Sequence, residues 1–381
     1  MKRILVCIGT RPEAIKMAPV IRALLADDRF DPIVVSTGQH REMVAQVVSL
    51  FDLPIAHDLD VMQPNQTLAS LTARLMTSID TLLNEIQPDL VLVQGDTTTV
   101  FVTSLACFYR HIDVAHVEAG LRTGDLRAPF PEEANRKLAA PLMALHFCPT
   151  TRSRENLLAE QVPEERIEVT GNTVIDALFM ELERQSDATV QESISASLAK
   201  RLGDTWNTRP FVLVTGHRRE NFGDGFREIC GALDELAGRF TDHAFVYPVH
   251  LNPNVREPVH AMLEGHKNIH LIDPVDYSEF VALMNASTLV LTDSGGVQEE
   301  APSLGKPVLV MRDATERPEG VDAGTVKLVG ANSGRIVEQV TQLLTDTAAY
   351  DAMSKTVNPY GDGKAAPRIL ARLHRFFQDA H

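Results

Sequence analysis

The sequence predicts an α/β protein made of two Rossmann-like domains whose parallel sheets face a central cleft. Two observations support this fold class. Short apolar runs alternate with longer stretches of helical periodicity along the chain of 381 residues, which is typical of βαβ units around parallel sheets. The pattern also restarts after a polar segment at residues 180–210. A chain of this length is long enough for two domains of roughly 150 to 200 residues each.

The first half of the chain contains six predicted strands, each a short apolar run. They lie at residues 4–8, 33–36, 90–94, 114–117, 146–148 and 167–170. Longer periodic stretches predict helices that include residues 13–26, 68–86 and 98–109. Residues 180–210 are polar, and we expect them to form a connection with one surface helix.

The second half contains six further predicted strands, at residues 211–215, 244–248, 269–272, 289–292, 308–311 and 326–329. We expect an N-terminal domain over residues 1–172 and a C-terminal domain over residues 173–363. A helix at residues 364–381 is expected to pack back on the N-terminal domain. Because ligands of open α/β sheets bind at the carboxyl ends of the strands, the residues that follow each strand are the candidates for chemistry.

The charge and cysteine content exclude several classes of function. Asp and Glu outnumber Lys and Arg by 51 to 36, for a net charge of −15, so the chain lacks the broad basic surface of a duplex-binding protein. The four cysteines are scattered without a CxxC pair, which argues against a zinc knuckle and suits a reducing compartment. No apolar run approaches the ~18 to 20 residues of a membrane span. We therefore expect a soluble cytoplasmic protein with no nucleic-acid or membrane partner.

Two basic residues follow the first predicted strand. Thr10 and Glu13 fit a capping box at the start of a helix, but this structural role does not explain Arg11 and Lys16. Cations at a helix N-terminus oppose the helix dipole, so their presence favours a bound anion over a solvated surface.

Carboxylates follow the next strands of the same half. Asp96 comes after the strand at residues 90–94, and Glu118 comes after the strand at residues 114–117. Neighbouring carboxylates raise each other's pKa and can divide acid and base work. Glu132 and Glu133 add further acids, although acids in the first turn of a helix are often only partners of its dipole.

The second half offers an anion site of a different kind. His217 follows a strand and is flanked by Arg218 and Arg219, an arrangement that favours contact with a phosphate. The segment SGGVQEE at residues 294–300 forms a predicted strand-to-helix turn. There, backbone N–H groups can approach a diphosphate, and an acid further on can bind ribose hydroxyls. The candidates at this turn, with two arginines that follow the next strand, are Ser294, Gly295, Gly296, Glu300, Arg312 and Arg317.

Together these segments resemble the non-hydrolysing UDP-N-acetylglucosamine 2-epimerases of bacteria, over nearly the whole chain. The first four motifs that carry the resemblance are GTRPEAIKMAP at 9–19, QGDTTT at 94–99, HVEAGLRTG at 116–124 and FPEEANR at 130–136. The other four are TGNTVIDA at 170–177, GHRREN at 216–221, DSGGVQEEAP at 293–302 and RDATERPE at 312–319. So many long motifs in one order make a chance resemblance implausible.

The resemblance implies a fold and a reaction. The fold is that of glycosyltransferase B, with the active site between two Rossmann-like domains, in a homodimer. The reaction is a reversible inversion at C2 of UDP-N-acetylglucosamine, which gives UDP-N-acetylmannosamine. It proceeds by anti elimination of UDP to a 2-acetamidoglucal, followed by re-addition. It requires no nicotinamide, other cofactor or metal.

The family's site residues carry over at matching positions of this chain. The residues matching its catalytic groups are Asp96, Glu118, Glu132 and His217. Those matching its substrate contacts are Arg11, Lys16, Phe280, Ser294, Gly295, Gly296, Glu300 and Arg317. Val275 stands where many relatives have a glutamine near the uracil, so the backbone must serve there.

Some relatives bind a second UDP-N-acetylglucosamine as an activator. Gln39, Arg218 and His250 resemble residues of that site, whereas Glu42 and Asn65 replace a glutamine and an arginine of the Gram-positive pattern. Activation of this chain is therefore a hypothesis.

Several alternatives share these motifs. A 2-epimerase of a modified UDP-acetamido sugar would differ only in a few loop contacts. A glycosyltransferase of the same fold would keep the glycine turn but needs an acceptor site, for which no segment stands out. A hydrolysing epimerase would release the free sugar, and a non-enzymatic sensor would not need Asp96, Glu118, Glu132 and His217 together.

Overall fold

The chain forms two units, seen in a computed structural model that describes residues 1–39, 41–63, 65–204 and 206–379. Unit 1 spans Met1–Ala177 and Tyr360–His381, and unit 2 spans Leu178–Pro359. Among the described residues, no helix is both long enough and apolar enough to cross a membrane.

Unit 1 is built on one parallel sheet with helices in the connections. Its strands are β1 (Lys2–Ile8), β2 (Phe30–Ser36), β3 (Ile55–Asp58), β4 (Leu90–Gln94), β5 (Val114–Val117), β6 (Leu145–Cys148) and β7 (Ile167–Val169). Its helices are α1 (Arg11–Leu25), α2 (Arg41–Leu50), α3 (Leu68–Ile86), α4 (Thr98–Tyr109), α5 (Glu132–Ala139) and α6 (Thr151–Ala159). The chain passes into unit 2 within α7 (Thr173–Gln185).

The strand order of unit 1 is β3-β2-β1-β4-β5-β6-β7, with every neighbouring pair parallel. The six predicted strands are confirmed, and the helices at Leu68–Ile86 and Thr98–Tyr109 have the predicted bounds. The sequence analysis did not predict β3. This strand lies at the edge of the sheet and is at most half-buried, so it lacks the apolar run of a central strand.

Unit 2 repeats the same plan with six strands, β8 (Phe211–Thr215), β9 (Ala244–Pro248), β10 (Ile269–Ile272), β11 (Leu289–Thr292), β12 (Val308–Val310) and β13 (Val326–Leu328). Its helices are α8 (Ala188–Leu202), α9 (Asp224–Arg239), α10 (Pro253–Leu263), α11 (Tyr277–Ala286), α12 (Gly295–Glu300), α13 (Pro318–Ala323), α14 (Ser333–Thr345) and α15 (Thr347–Ser354). The sheet order is β10-β9-β8-β11-β12-β13. All six predicted strands are present. The surface helix expected within residues 180–210 is α8. It lies at the surface, because Leu198 is the one residue of this helix that is buried.

The last helix, α16 (Ala365–Asp379), belongs to unit 1. Buried Asp176 accepts hydrogen bonds from the backbone N–H groups of Ala365 and Ala366, at 3.2 and 2.8 Å. Further along the helix, His374 stacks on Phe30 with ring centroids 4.7 Å apart. A segment distant in sequence thus completes the unit that begins with β1.

Candidate active site

Each sheet has one point where the strand order reverses direction. In unit 1 this point lies between β1 and β4, and in unit 2 between β8 and β11. Ligands of doubly wound sheets bind outside the carboxyl ends of the strands at such points. Arg11, Asp96, His217 and the turn at residues 294–296 follow the strands that border these points, whereas Glu118, Glu132, Phe280 and Arg317 follow the strands β5, β10 and β12.

Glu13 fixes the turn that follows β1. The predicted capping box is present, because the Thr10 side chain accepts from the Glu13 N–H and Glu13 accepts from the Thr10 N–H. The Glu13 carboxylate also accepts from the Thr97 hydroxyl at 2.7 Å, which ties this turn to the turn after β4. Burial raises the pKa of Glu13, and these hydrogen bonds only partly oppose the rise.

Arg11 is the first residue of α1 and is partly exposed. Over the described part of the chain, its guanidinium forms no ion pair with a carboxylate. A cation at this end of a helix opposes the dipole, so Arg11 remains a candidate for an anionic ligand.

Glu118 is held by several partners in unit 1. Its φ is 63°, an uncommon left-handed conformation for a residue other than glycine. The Lys16 ammonium lies 2.7 and 2.6 Å from its two oxygens. Gln94 also donates to Glu118, and Asn172 donates at 3.4 Å. The side chain of Glu118 is 3% exposed, so the ion pair with Lys16 is buried.

Asp96 lies at the neighbouring strand end in a different environment. Its side chain is 29% exposed, and its Oδ2 lies 3.2 Å from Nη1 of Arg136. Desolvation raises the pKa of Asp96, and Glu118 and Glu132 raise it further. Arg136 and Lys16 oppose this rise. The two carboxylates at adjacent strand ends therefore lie in different environments, Glu118 against a buried ammonium and Asp96 beside a guanidinium with its own side chain partly exposed.

The helix α5 carries Glu132 in its first turn. Within the described residues, this side chain accepts no hydrogen bond and forms no ion pair. Its neighbour Glu133 is fully buried and is paired with Arg136 at 2.7 Å. The sequence analysis missed the roles of Glu133 and Arg136. The signal was an acid followed by an arginine three residues later, which on a helix places the two on one face.

In unit 2, Asp293 organises the turn that carries His217. Its Oδ2 accepts from the backbone N–H groups of His217 and Arg218, at 2.9 and 2.8 Å. The ring Nδ1 of His217 lies 3.3 Å from Oδ1 of Asp293. Burial lowers the pKa of His217, and Asp293 opposes the fall. Sequence reasoning missed Asp293, although it directly precedes the Ser-Gly-Gly turn.

The predicted glycine turn is present at the start of α12, with Ser294 as N-cap residue. A Cβ atom on Gly295 would lie 2.6 Å from Nη1 of Arg317, so a side chain at this position would have to displace the Arg317 guanidinium. A Cβ atom on Gly296 would meet only Oε2 of Glu300, at 3.7 Å. Buried Glu300 accepts from the Tyr277 hydroxyl at 3.0 Å, which holds the acid that was predicted to bind ribose.

Glu316 brings three arginines together. It lies 2.7 Å from Arg317, 2.8 Å from Arg312 and 3.8 Å from Arg218. Burial alone would raise the pKa of Glu316, but Arg317 and Arg312 lower it to about 2. The two arginines at the end of β12 thus share one carboxylate, whose role the sequence analysis did not predict.

The remaining candidates occupy varied surroundings. Phe280 is half-buried in α11, and Glu42 is exposed in α2. Gln39 accepts from the Thr99 hydroxyl at 3.3 Å. The His250 ring stacks on the His217 ring, with the ring centroids 5.7 Å apart.

Over the described ranges, no group of three or more His, Cys, Asp or Glu side chains is arranged to hold a metal ion.

Two doubly wound units with these sites define an α/β enzyme of the glycosyltransferase-B-like class. The crystal structure of the Neisseria meningitidis UDP-GlcNAc 2-epimerase bound to UDP-GlcNAc matches with a TM-score of 0.91 at 48% identity, and the match covers 98% of this chain and 100% of that chain. A Methanocaldococcus jannaschii UDP-GlcNAc 2-epimerase, in complex with UDP-GlcNAc and UDP, matches with a TM-score of 0.82 at 34% identity, covering 98% and 99%.

Sequence comparison narrows this class to one family. The family model for UDP-N-acetylglucosamine 2-epimerase matches residues 22–374. The UDP-N-acetylglucosamine 2-epimerases of Yersinia pestis and Escherichia coli K12 are 57% and 56% identical, each over 97% of this chain and 98% of the relative. The chain belongs to the UDP-N-acetylglucosamine 2-epimerase family, and its class of reaction is that of an isomerase.

Proposed function

We propose that this protein interconverts UDP-N-acetylglucosamine and UDP-N-acetylmannosamine by elimination and re-addition of UDP. In the forward direction, the C2–H bond and the bond from C1 to the UDP oxygen break, and a C1–C2 double bond forms. The 2-acetamidoglucal then takes up a proton at C2 from the opposite face while UDP returns to C1. The steps balance without an oxidant, so the scheme calls on no nicotinamide.

The observation that carries this proposal is the unequal environment of Asp96 and Glu118. Asp96 has a raised pKa, and a raised pKa suits a carboxylate that must take up and release a proton. Glu118 is held by Lys16, Gln94 and Asn172. Glu132 has no partner within the described residues. We assign the proton transfers at C2 to these three carboxylates together.

The departing diphosphate needs stabilisation, because the C2 proton is weakly acidic and its loss must be assisted by the leaving group. Arg11, Lys16 and Arg317 are the cations proposed to contact it, with the backbone of Gly295 and Gly296. A bound diphosphate would favour the protonated form of His217, against the effect of its burial. Glu300 and Phe280 are proposed to contact the ribose and the uracil.

The proposal extends to assembly and regulation. We expect a cytoplasmic homodimer, for which light scattering should give twice the 42.0 kDa of one chain. Gln39, Glu42, Arg218 and His250 are the candidate residues for an activating second UDP-N-acetylglucosamine. A strictly hyperbolic rate curve with UDP-N-acetylmannosamine alone, unchanged by traces of UDP-N-acetylglucosamine, would argue against activation.

The test is incubation with UDP-N-acetylglucosamine in D2O, followed by NMR of the sugar C2 proton. We expect UDP-N-acetylmannosamine to appear, with deuterium at C2 of both epimers and no nicotinamide added. Release of free N-acetylmannosamine would instead indicate a hydrolysing enzyme. Tight UDP binding without exchange or epimerisation would contradict the proposal and favour a modified sugar substrate or a glycosyltransferase.

A further inference from the structure

We propose that Glu133 is a positioning residue of the reaction, which holds the Arg136 guanidinium to a single contact with Asp96 and so leaves Asp96 free to exchange a proton. The inference rests on the proposed function for its catalytic meaning. The contacts that carry it lie within unit 1 and can be tested without turnover.

Glu133 is anchored by backbone groups. Its side chain is fully buried, and its two oxygens accept from the backbone N–H groups of Gly124 and Thr123, at 3.0 and 3.1 Å. These bonds tie α5 to the loop that follows β5. A buried carboxylate held by fixed backbone donors has little freedom to move.

Glu133 and Asp96 share Arg136. The guanidinium is 4% exposed, with Nε 2.7 Å from Glu133 and Nη1 3.2 Å from Asp96. Its Nε and Nη2 are both buried without a hydrogen-bond partner in the described structure, so the contact of Nε with Glu133 is an ion pair and not a hydrogen bond. The guanidinium therefore has a donor in reserve, which could serve a second bond to a carboxylate.

Loss of the Glu133 charge would change how Arg136 contacts Asp96. Arg136 would keep one carboxylate in contact, that of Asp96, and could turn both Nη groups towards it. A bidentate guanidinium strongly favours the ionised carboxylate. Asp96 would then lose the tendency to take up a proton that desolvation gives it.

The other charged groups around Asp96 do not take over the part that Glu133 and Arg136 play. Glu132 on α5 and Glu118 at the end of β5 raise its pKa, and Lys16 on α1 lowers it. Asn135 donates to the backbone carbonyl of Asp96 at 2.9 Å, so the backbone stays in place when the charge of Glu133 changes. Arg136 is the cation that opposes the raised pKa most strongly.

The test uses Glu133→Gln and Arg136→Met in the full chain, with the Asp carboxyl carbons labelled by ¹³C and the Asp96 signal assigned by comparison with Asp96→Asn. We expect the Asp96 midpoint to fall by at least about half a pH unit in E133Q and to rise by a similar amount in R136M. With UDP-N-acetylglucosamine as substrate, kcat of E133Q should fall roughly tenfold, with KM within about threefold of wild type.

Glu160→Gln is the matched control. Glu160 pairs with Arg122 and Lys137 in the same loop and helix, but it does not contact Asp96. Its loss should leave the Asp96 titration unchanged. An equal shift in E160Q would mean that any lost ion pair in this region has the same effect, and would overturn the proposal.

A midpoint that is unchanged or raised in E133Q would also overturn it. If E133Q does not fold, R136M and Arg136→Lys decide the matter: the midpoint should rise in R136M and return towards wild type in R136K, and any other pattern contradicts the proposal. The NMR titration needs no turnover. A wild-type protein that shows these shifts but no C2 exchange would therefore contradict the proposed function and leave the positioning role intact.

Discussion

At the scale of single residues, the buried Lys16–Glu118 pair is a contact whose loss should be costly. The side chains are 11% and 3% exposed, so removal of either charge leaves the other desolvated. Such a pair contributes little net stability compared with apolar residues, but removal of one partner destabilises a protein strongly.

We predict that Lys16→Met lowers the free energy of unfolding by about 3 kcal/mol. The double variant with Glu118→Gln should recover part of that loss, because no buried charge then remains unpaired. Urea denaturation of the two single variants and the double variant measures the coupling. Lys355→Met removes an exposed pair with Asp351 and should change stability by less than about 1 kcal/mol. A K16M variant as stable as K355M would refute the argument.

Residues that directly follow a predicted strand could be identified from sequence, but residues that act through a neighbour could not. Asp96, Glu118 and His217 follow strands whose positions were predictable. Glu13 was interpreted as a capping residue, and its bond to Thr97 joins two turns far apart in sequence. Asp293 is likewise defined by the N–H groups of the turn after β8. No pattern along the chain indicates such partners.

At the scale of elements, the parallel pairing of β5 and β6 places His116 opposite His146. Burial lowers the pKa of His116 to about 4 and that of His146 to about 3. The ordinary value is about 6.5, so the unfolded chain binds protons that the folded chain does not. Folding stability should therefore fall as the pH decreases below about 6.5.

We predict that each of these histidines lowers the free energy of unfolding by about 1.4 kcal/mol when the pH falls from 7.5 to 5.5. In His146→Leu the loss over this interval should be smaller by about that amount. Urea denaturation at the two pH values measures it. His111→Asn alters an exposed histidine of the same unit and should keep the wild-type difference. A His146→Leu variant with the full wild-type difference would contradict this account.

Helices and strands could be predicted where the sequence has a strong apolar pattern. The apolar strands of both sheets appear at or near the expected residues, because burial on both faces leaves a continuous apolar run. The long helices α3 and α4 have the expected bounds. The edge strand β3 and the short helix α5 have weaker patterns. Their placement depends on the sheet and loop that they contact, which tertiary packing decides.

At the scale of the whole molecule, unit 1 depends on a segment from the other end of the chain. Asp176 holds the first turn of α16, and Ile369 and Leu373 of that helix are fully buried. We predict that Asp176→Ala lowers the free energy of unfolding by about 1 to 2 kcal/mol and increases proteolysis near α16.

Asp187→Ala provides the control for this prediction. Asp187 caps α8 through the N–H groups of Thr189 and Val190 on an exposed surface. Its removal should cost about 1 kcal/mol or less and leave cleavage near α16 unchanged. Thermal unfolding and limited proteolysis measure both variants, and equal cleavage near α16 in the two would count against a specific role for Asp176.

The position of α16 also determines when each unit can finish folding during biosynthesis. Unit 2 is continuous along the chain, whereas unit 1 needs residues 360–381. At roughly 5 to 20 residues per second, translation of residues 178–381 takes about 10 to 40 s. During that time the surface that α16 will cover, including Phe30, is without its partner. The half of the protein that leaves the ribosome first is therefore the last to be completed, and it is the half most in need of chaperone protection while translation continues.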